Sequence, residues 1–478
     1  MRLKGHRKVP AWMGGDLLIW KFGGTSLGNG NRILQARSLI VAGLERNRLV
    51  IVCSAMGDTT DTLLEMLERA STGEIQSARA LLDRLHRSHL EAAQIAVEEP
   101  AVRTEVVDFI SERVSELEKL IGSVALLREA TLRTRDLIAS YGERLSTKIM
   151  WGALRSKGVK SVYLEGHEAG IVTDSNFGNA SPLMDLTYNR VRERIGGLIA
   201  AGEVPVLTGF IAATPDGITT TLGRGGSDLT ATVIAYCTGA KEVWLWTDVD
   251  GMMSADPRIV ANSKVLSRIS YDEAVEMAYF GAKGLQIKTL LPARAGGIPI
   301  RIKNTFNPES EGTLITSTSL LGGTVTKAVL MTKAVSSVTV KGEVLAGGGL
   351  AAKVLSVIDS LKIDALMISQ SVSSSSISIV ISKNLSKRVV DEIRRNVISQ
   401  LGGGEVEVED DVAVIAVIGE GMKGTPGVAS KVFSAVAARG INVRMIAQGS
   451  SELNISFVVK EKDAEEAVRA VHSAFYGA

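Results

Sequence analysis

The chain has 478 residues, a length that accommodates about three domains, and its 45% hydrophobic and 22% charged content is ordinary for a globular protein. Its 54 basic and 52 acidic residues leave a net charge of +2, which excludes the basic excess of a dedicated nucleic-acid binder, and no run reaches the roughly 18 apolar residues of a membrane span. Only two cysteines occur, Cys53 and Cys237, which excludes a disulfide scaffold and points to a cytoplasmic, reducing location.

Residues 1–16 carry Arg2, Lys4, Arg7 and Lys8 without a following apolar segment, so they read as an extension rather than a signal. The run 17–21 (LLIWK) reads as a buried strand ended by Gly23 and Gly24. A helical pattern over 31–45 and a second apolar strand at 49–53 follow, and strand, helix, strand implies a parallel α/β sheet. From about 61 to 158 the period is helical, with turns near 71–73 and at Glu99-Pro100. Strand patterns return at 161–164, 204–207, 218–222, 242–246 and 298–302, and the Gly/Ser/Thr-rich stretch 308–324 reads as a boundary.

Beyond that boundary the sequence repeats. A shift of 78 residues lays 349–378 on 427–456 with 12 of 30 positions identical, among them Lys353/Lys431, Met367-Ile368/Met445-Ile446 and Gln370/Gln448. The first copy reads as strand 335–341, helix 349–361, strands 363–369 and 376–382, helix 385–398 and strand 405–409, a βαββαβ unit. The second copy ends after the helix 464–475 and lacks its last strand. The apolar segment 326–332 is free to supply it, which would insert the first unit within the second and spare the sheet a bare edge.

Several catalytic patterns are missing. The Gly-Lys dipeptide of a P-loop occurs nowhere, and no HExxH, CxxC or GxSxG pattern is present. Gly419–Gly424 formally matches GxGxxG but sits in the repeat, where a Gly-rich loop recurs. His86 and His89 share a helix face without a third ligand, so a solvated face is the simpler reading. Two other segments suit anions. In Lys21-Phe22-Gly23-Gly24-Thr25-Ser26 a lysine ends a strand, and two glycines precede a helix whose N–H groups favour negative charge. In Gly223-Arg224-Gly225-Gly226-Ser227-Asp228 an arginine between glycines has its fork free for a carboxylate, while Ser227 and Asp228 are placed to cap the next helix.

These two segments, with Gly142-Glu143-Arg144-Leu145-Ser146, the 204–210 strand and turn, Trp246-Thr247-Asp248-Val249-Asp250-Gly251, Asp256-Pro257-Arg258 and Phe280-Gly281-Ala282-Lys283, come in the order and spacing of the aspartate kinases, and the two repeats resemble the ACT domains such kinases carry. The resemblance runs from residue 17 to the C-terminus. It implies an amino-acid-kinase-like three-layer α/β/α catalytic domain over 17–324, followed by two ferredoxin-like ACT domains at 325–410 and 411–478. It implies ATP-dependent phosphorylation of the L-aspartate β-carboxylate, with Mg2+ held largely by the phosphates. In that scheme Lys21 and Asp228 are catalytic. Lys21, Gly23, Gly24, Thr247, Asp248, Asp250, Met253, Arg258, Lys283 and Gly284 bind the nucleotide. Thr25, Ser26, Thr60, Glu143, Arg224 and Ser227 bind aspartate, and no protein metal site is implied. Lysine or threonine would act as feedback effector at Gly349, Leu350 and Gln370, with Gln448 as a weaker counterpart, in a homodimer through the ACT domains or a tetramer. Three positions depart from the family pattern: Gln286-Ile287 replace the usual His-Pro, Met253 stands for a tyrosine, and Thr60-Asp61 replaces Thr-Asn. The competing readings are a kinase of glutamate or acetylglutamate and a catalytically inactive amino-acid sensor.

Overall fold

The computed structural model describes residues 17–281, 285–318, 325–342, 349–371, 376–401 and 403–477. Two compact units divide the chain, Met1–Gly251 with Gly284–Ser317 and Met252–Lys283 with Thr318–Ala478. No helix among the described residues is long and apolar enough to cross a membrane.

In the first unit the strands are β1 (Leu17–Phe22), β2 (Arg48–Cys53), β3 (Ser161–Leu164), β4 (Val204–Thr208), the short pair β5 (Ile211–Ala213) and β6 (Thr219–Thr221), and β7 (Glu242–Thr247). β8 (Arg268–Ser270) belongs to the second unit, and β9 (Ile300–Asn304) and β10 (Thr313–Thr316) return to the first. The order is β3-β4-β2-β1-β7-β9-β10, parallel throughout except for β10, which runs antiparallel to β9. Strands buried on both faces read as continuous apolar runs, which is why β1, β2 and β4 were legible. The stretch expected as a boundary contains β10, a strand of four residues that the surrounding glycines and serines hide. Five helices between Thr59 and Arg155 pack with Gly30–Leu44 into the main core, and Trp20 stacks on Trp244 with ring centroids 5.0 Å apart.

The second unit is built on one six-stranded antiparallel sheet. Its strands are β11 (Ala328–Gly342), β12 (Met367–Gln370), β13 (Ser376–Ser382), β14 (Gly404–Ile418), β15 (Met445–Gln448) and β16 (Asn454–Lys460), in the order β12-β13-β11-β14-β16-β15. The segments expected as separate strands at 326–332 and 335–341 form the single strand β11, and the strand expected at 405–409 continues to Ile418 as β14. The two long strands pair along their whole lengths, Ala328–Thr332 on 414–418 and 335–342 on 404–412. Each therefore serves both βαββαβ halves, and each half keeps its own core, one around Val338, Ile379 and Val389, the other around Val329, Ile415 and Phe457.

In this division residues 252–281 group with the second unit. The reason lies in named bonds. Val329 N donates to the Ser254 carbonyl at 2.8 Å, the Thr332 hydroxyl donates to Phe280 O at 3.0 Å, and Ser254 Oγ lies 2.9 Å from His472 Nε2.

Candidate active site

Alternation along β1 separates its two faces. Trp20 and Phe22 enter the helical core, so Lys21 projects from the opposite face toward helix Gly226–Thr238. That helix starts from Gly225, whose φ of +74° is a left-handed conformation that glycine adopts without strain, and no side chain caps it. Asp228 is thus not spent as a cap, as its position suggested. Its Oδ1 lies 2.5 Å from Lys21 Nζ in a pair only 12–13% exposed. An acid in the first turn also suits the helix dipole.

A cavity of about 230 Å³ opens beside this pair, lined by Lys21, Arg224, Asp228, Trp246, Thr247 and Gln286 among others. Arg224 is exposed and makes no ion pair or hydrogen bond among the described residues. A guanidinium, a primary ammonium and a carboxylate therefore share one concave surface. Two cations there suit an anionic ligand, and the free fork suits a carboxylate.

Glu143, in the first turn of helix Tyr141–Arg155, is 4% exposed. Burial pushes its carboxyl up to about 8, against the smaller opposing effects of the Ala55 and Glu143 amides and of the nearby Lys21 charge. Its Oε2 is buried without a partner among the described residues. A buried carboxyl with an unused oxygen is suited to receive a ligand cation.

Other sequence candidates are placed differently. Gly23 N–H donates to Trp246 O at 3.1 Å, so of the two glycine amides only that of Gly24 lacks a partner among the described residues. Gly24 is needed for close approach, since a Cβ there would stand 2.8 Å from Gly57 O. Ser26 is fully buried, its hydroxyl 2.7 Å from Thr305 Oγ1 and 3.3 Å from Trp246 O, so it is engaged within the protein. Thr25 is exposed, and Thr60 is half-buried at the start of helix Thr59–Ser71. Ser227 is buried beside Asp228. Asp248 accepts from the Thr247 hydroxyl at 3.1 Å. Asp250 accepts from Asn304 Nδ2 at 2.8 Å and Asn307 Nδ2 at 3.0 Å, holding the turn after β7. Met253 and Arg258 belong to the second unit, and the Arg258 guanidinium is clamped on Asp256 at 2.6 Å. Lys283 and Gly284 lie outside the described residues.

The weaker motifs receive structural explanations. His89 is fully buried with Nδ1 2.8 Å from Leu85 O, and burial lowers its pKa to about 4. Gly419 and Gly421 pack on the Val325 backbone, where a Cβ would approach its carbonyl oxygen to 2.7 and 2.8 Å. Sequence reasoning missed Asp136 and Lys288, which hold the segments around Arg224. Their partners are distant in sequence, and neither residue sits in a motif.

A parallel sheet with a lysine at a strand end, an acid holding it and a free arginine across the cavity defines a phosphotransferase of the amino-acid kinase class, and the Amino acid kinase family model matches residues 16–304. An ACT domain model matches residues 415–475. Aspartokinase 1, chloroplastic, of Arabidopsis thaliana is 34% identical over 97% of this chain and 80% of its own length. The crystal structure of E. coli aspartokinase III in complex with aspartate and ADP superimposes with a TM-score of 0.80 at 27% identity, covering 96% of this chain and 99% of that one. The aspartate kinase of Clostridium acetobutylicum gives 0.78 at 27% identity, over 96% and 100% of the two chains. The chain belongs to the aspartokinase family, and its activity is that of an aspartate kinase.

Proposed function

We propose that the γ-phosphoryl group of ATP passes to the β-carboxylate of L-aspartate in the cavity beside Lys21, giving ADP and 4-phospho-L-aspartate. The observation that carries this is the Lys21–Asp228 pair facing a free Arg224 in one cavity. A carboxylate acceptor is already ionised at neutral pH, so the reaction needs no general base. It needs charge neutralisation and in-line positioning. Lys21 neutralises the transferring phosphate, with the Gly24 amide beside it, and Asp228 fixes the lysine without accepting a proton. Arg224 clamps the α-carboxylate of aspartate, Glu143 receives its ammonium in the ionised form, and Ser227 with Thr60 borders it. Thr247, Asp248 and Asp250 edge the nucleotide, and the resemblance to the family assigns Arg258, Lys283 and Gly284 to nucleotide binding as well. Mg2+ held by the nucleotide phosphates would supply further neutralisation of their charge. No group of three His, Cys, Asp or Glu among the described residues forms a cage for it.

In the same reading the kinase domain spans 17–324, and the regulatory halves 325–410 and 411–478 take lysine or threonine as feedback inhibitor. E. coli aspartokinase III has a structure in complex with lysine and aspartate, at 28% identity and a TM-score of 0.78. The regulatory halves also pair two copies into a homodimer, or a tetramer. The two free, buried cysteines suit a reducing, cytoplasmic location. The test is an ATP-dependent assay in which hydroxylamine traps the acyl phosphate as a hydroxamate, run with aspartate and with glutamate. Hydroxamate from aspartate is the expected result. Product from glutamate alone would overturn the reading.

A further inference from the structure

Arg224 makes no ion pair or hydrogen bond among the described residues, so its aim depends on the backbone that carries it. The two residues before Gly223 are tied at all four of their backbone polar groups. Thr221 N donates to Asp136 Oδ2 at 2.9 Å and Thr221 O accepts from Ala180 N at 2.9 Å. Leu222 N donates to Phe210 O at 2.9 Å and Leu222 O accepts from Lys288 Nζ at 3.0 Å. Asp136 also accepts from the Thr221 hydroxyl at 2.7 Å and from Gly178 N at 2.9 and 3.0 Å. The Lys288 ammonium reaches Asn179 Oδ1 as well.

Asp136 is 1% exposed, and no cation pairs with it among the described residues. Its described partners are N–H and O–H donors from two distant segments, the turn at Gly178 and strand β6. A buried carboxylate is costly unless its lone pairs are filled, so this arrangement fixes both segments together. Lys288, on helix Ile287–Gly296, closes the same segments from the other side. Gly223 then turns with φ +71°, in a space where a Cβ would stand 2.7 Å from Asn179 Oδ1. Fixed backbone ends where the unpaired arginine begins.

We infer that Asp136 and Lys288 are positioning residues that set the distance between the Arg224 guanidinium and the Lys21 ammonium, and through it the length of acid the enzyme phosphorylates. The inference rests on the proposed role of Arg224 as the α-carboxylate clamp. Aspartate and glutamate differ by one methylene, and binding one methylene more or less is worth only about 10- to 200-fold in selectivity. A clamp that is free to shift accommodates the longer acid as well as the shorter, so discrimination between them falls. Asp136→Asn turns a donor toward the Thr221 and Gly178 N–H groups, and Lys288→Met leaves Leu222 O without its ammonium.

The experiment measures kcat and KM for aspartate, glutamate and ATP in the full chain for wild type, Asp136→Asn, Lys288→Met, Thr221→Val and Arg224→Lys. The inference expects the aspartate-to-glutamate ratio of kcat/KM to fall by about tenfold or more in Asp136→Asn and Lys288→Met, and by less in Thr221→Val, which loses one bond. KM for aspartate rises while KM for ATP and kcat at saturating aspartate stay within about threefold. An unchanged ratio in Lys288→Met and Thr221→Val overturns the inference, even if Asp136→Asn fails to fold. So does a parallel rise in the KM of both substrates. If Arg224→Lys itself leaves aspartate KM unchanged, the clamp reading fails instead, and the two failures are distinguished.

Discussion

Lys21 and Asp228 lie on opposite sides of the catalytic unit's sequence and meet at 2.5 Å. The contact depends on three local features: the alternation of β1, the left-handed Gly225, and an uncapped helix that leaves the Asp228 carboxylate available. It fixes a flexible four-carbon side chain at the strand end, where the proposed phosphoryl transfer needs a point charge. Lys21→Ala should abolish turnover. Losing one preorganised charge at the transferring group costs about 3–4 kcal/mol by analogy with lost oxyanion donors, a fall of at least about a hundredfold in kcat. The measurement is kcat at saturating substrates on a variant whose circular dichroism matches wild type. Activity above about a tenth of wild type, under about 1.4 kcal/mol, would remove the lysine from the chemistry.

Glu143 makes the pH dependence specific. Its folded pKa is raised to about 8, so the carboxyl is largely protonated at pH 7 in the free enzyme. In its proposed role the ionised form is the one that pairs with the substrate ammonium. kcat/KM for aspartate should therefore rise from pH 6.5 and level off above about pH 8.5, while KM for ATP stays flat. Glu143→Gln should lower kcat/KM for aspartate and lose the rising limb. The same group acts on stability with a definite sign. A folded pKa above the unfolded one means the native state binds more protons between about 4.5 and 8, so this contribution is fully present below pH 4.5 and is lost as pH rises through 8. Melting temperatures of the wild type should accordingly fall toward pH 9 more steeply than those of Glu143→Gln. A rising limb that persists in the glutamine variant assigns the titration to another group.

The parts of this structure that could be read in advance are those whose cause is local. Buried parallel strands announce themselves as apolar runs, and the repeat announces itself by identity. The joins were hidden. Lys333-Ala334 and Asp410-Asp411 look like strand ends because charge interrupts the pattern. In the structure Ala334 takes φ +58° at a register shift and the chain continues extended. The charges find partners at the surface: Lys333 bonds Glu465 at 2.9 Å and Lys460 bonds Asp411 at 2.8 Å. The site was legible to the same extent. Lys21 and Arg224 stand among glycines that mark them, whereas Asp136 is one acid in a short helix and acquires its role only from Gly178 and Thr221, far along the chain. Ser26 shows what a motif hides, since its hydroxyl meets Thr305, distant in sequence, in the interior.

The regulatory reading gives the last prediction. Gln370 and its repeat counterpart Gln448 end β12 and β15, the two outer strands of the sheet, and both are exposed. Helix Leu350–Ser360 starts from Gly349 without a side-chain cap, so its first N–H groups are available to an effector carboxylate. Leu350 is buried in the core of the first regulatory half and can contribute only through its backbone. The strand is tied to helix Tyr271–Tyr279 just before it begins, through the Tyr279 hydroxyl donating to Ala365 O at 2.6 Å. Gln448 lies beyond Asn454 in the other half, whose amide donates to Glu276 of the same helix at 3.1 Å. Gln370→Ala should raise the concentration of lysine or threonine needed for half inhibition by about tenfold, the loss of hydrogen bonding to a charged group, without lowering uninhibited kcat. Gln448→Ala should have the smaller effect. Tyr279→Phe keeps every group of the effector site and removes only the tether, so it should leave effector affinity nearly intact while weakening the inhibition that full occupancy produces. Calorimetry for affinity and initial rates for inhibition separate the two. Unchanged inhibition by both amino acids in Gln370→Ala would move the effector away from β12, and equal loss of affinity in Tyr279→Phe would make the tyrosine part of the site and not its link to the helix.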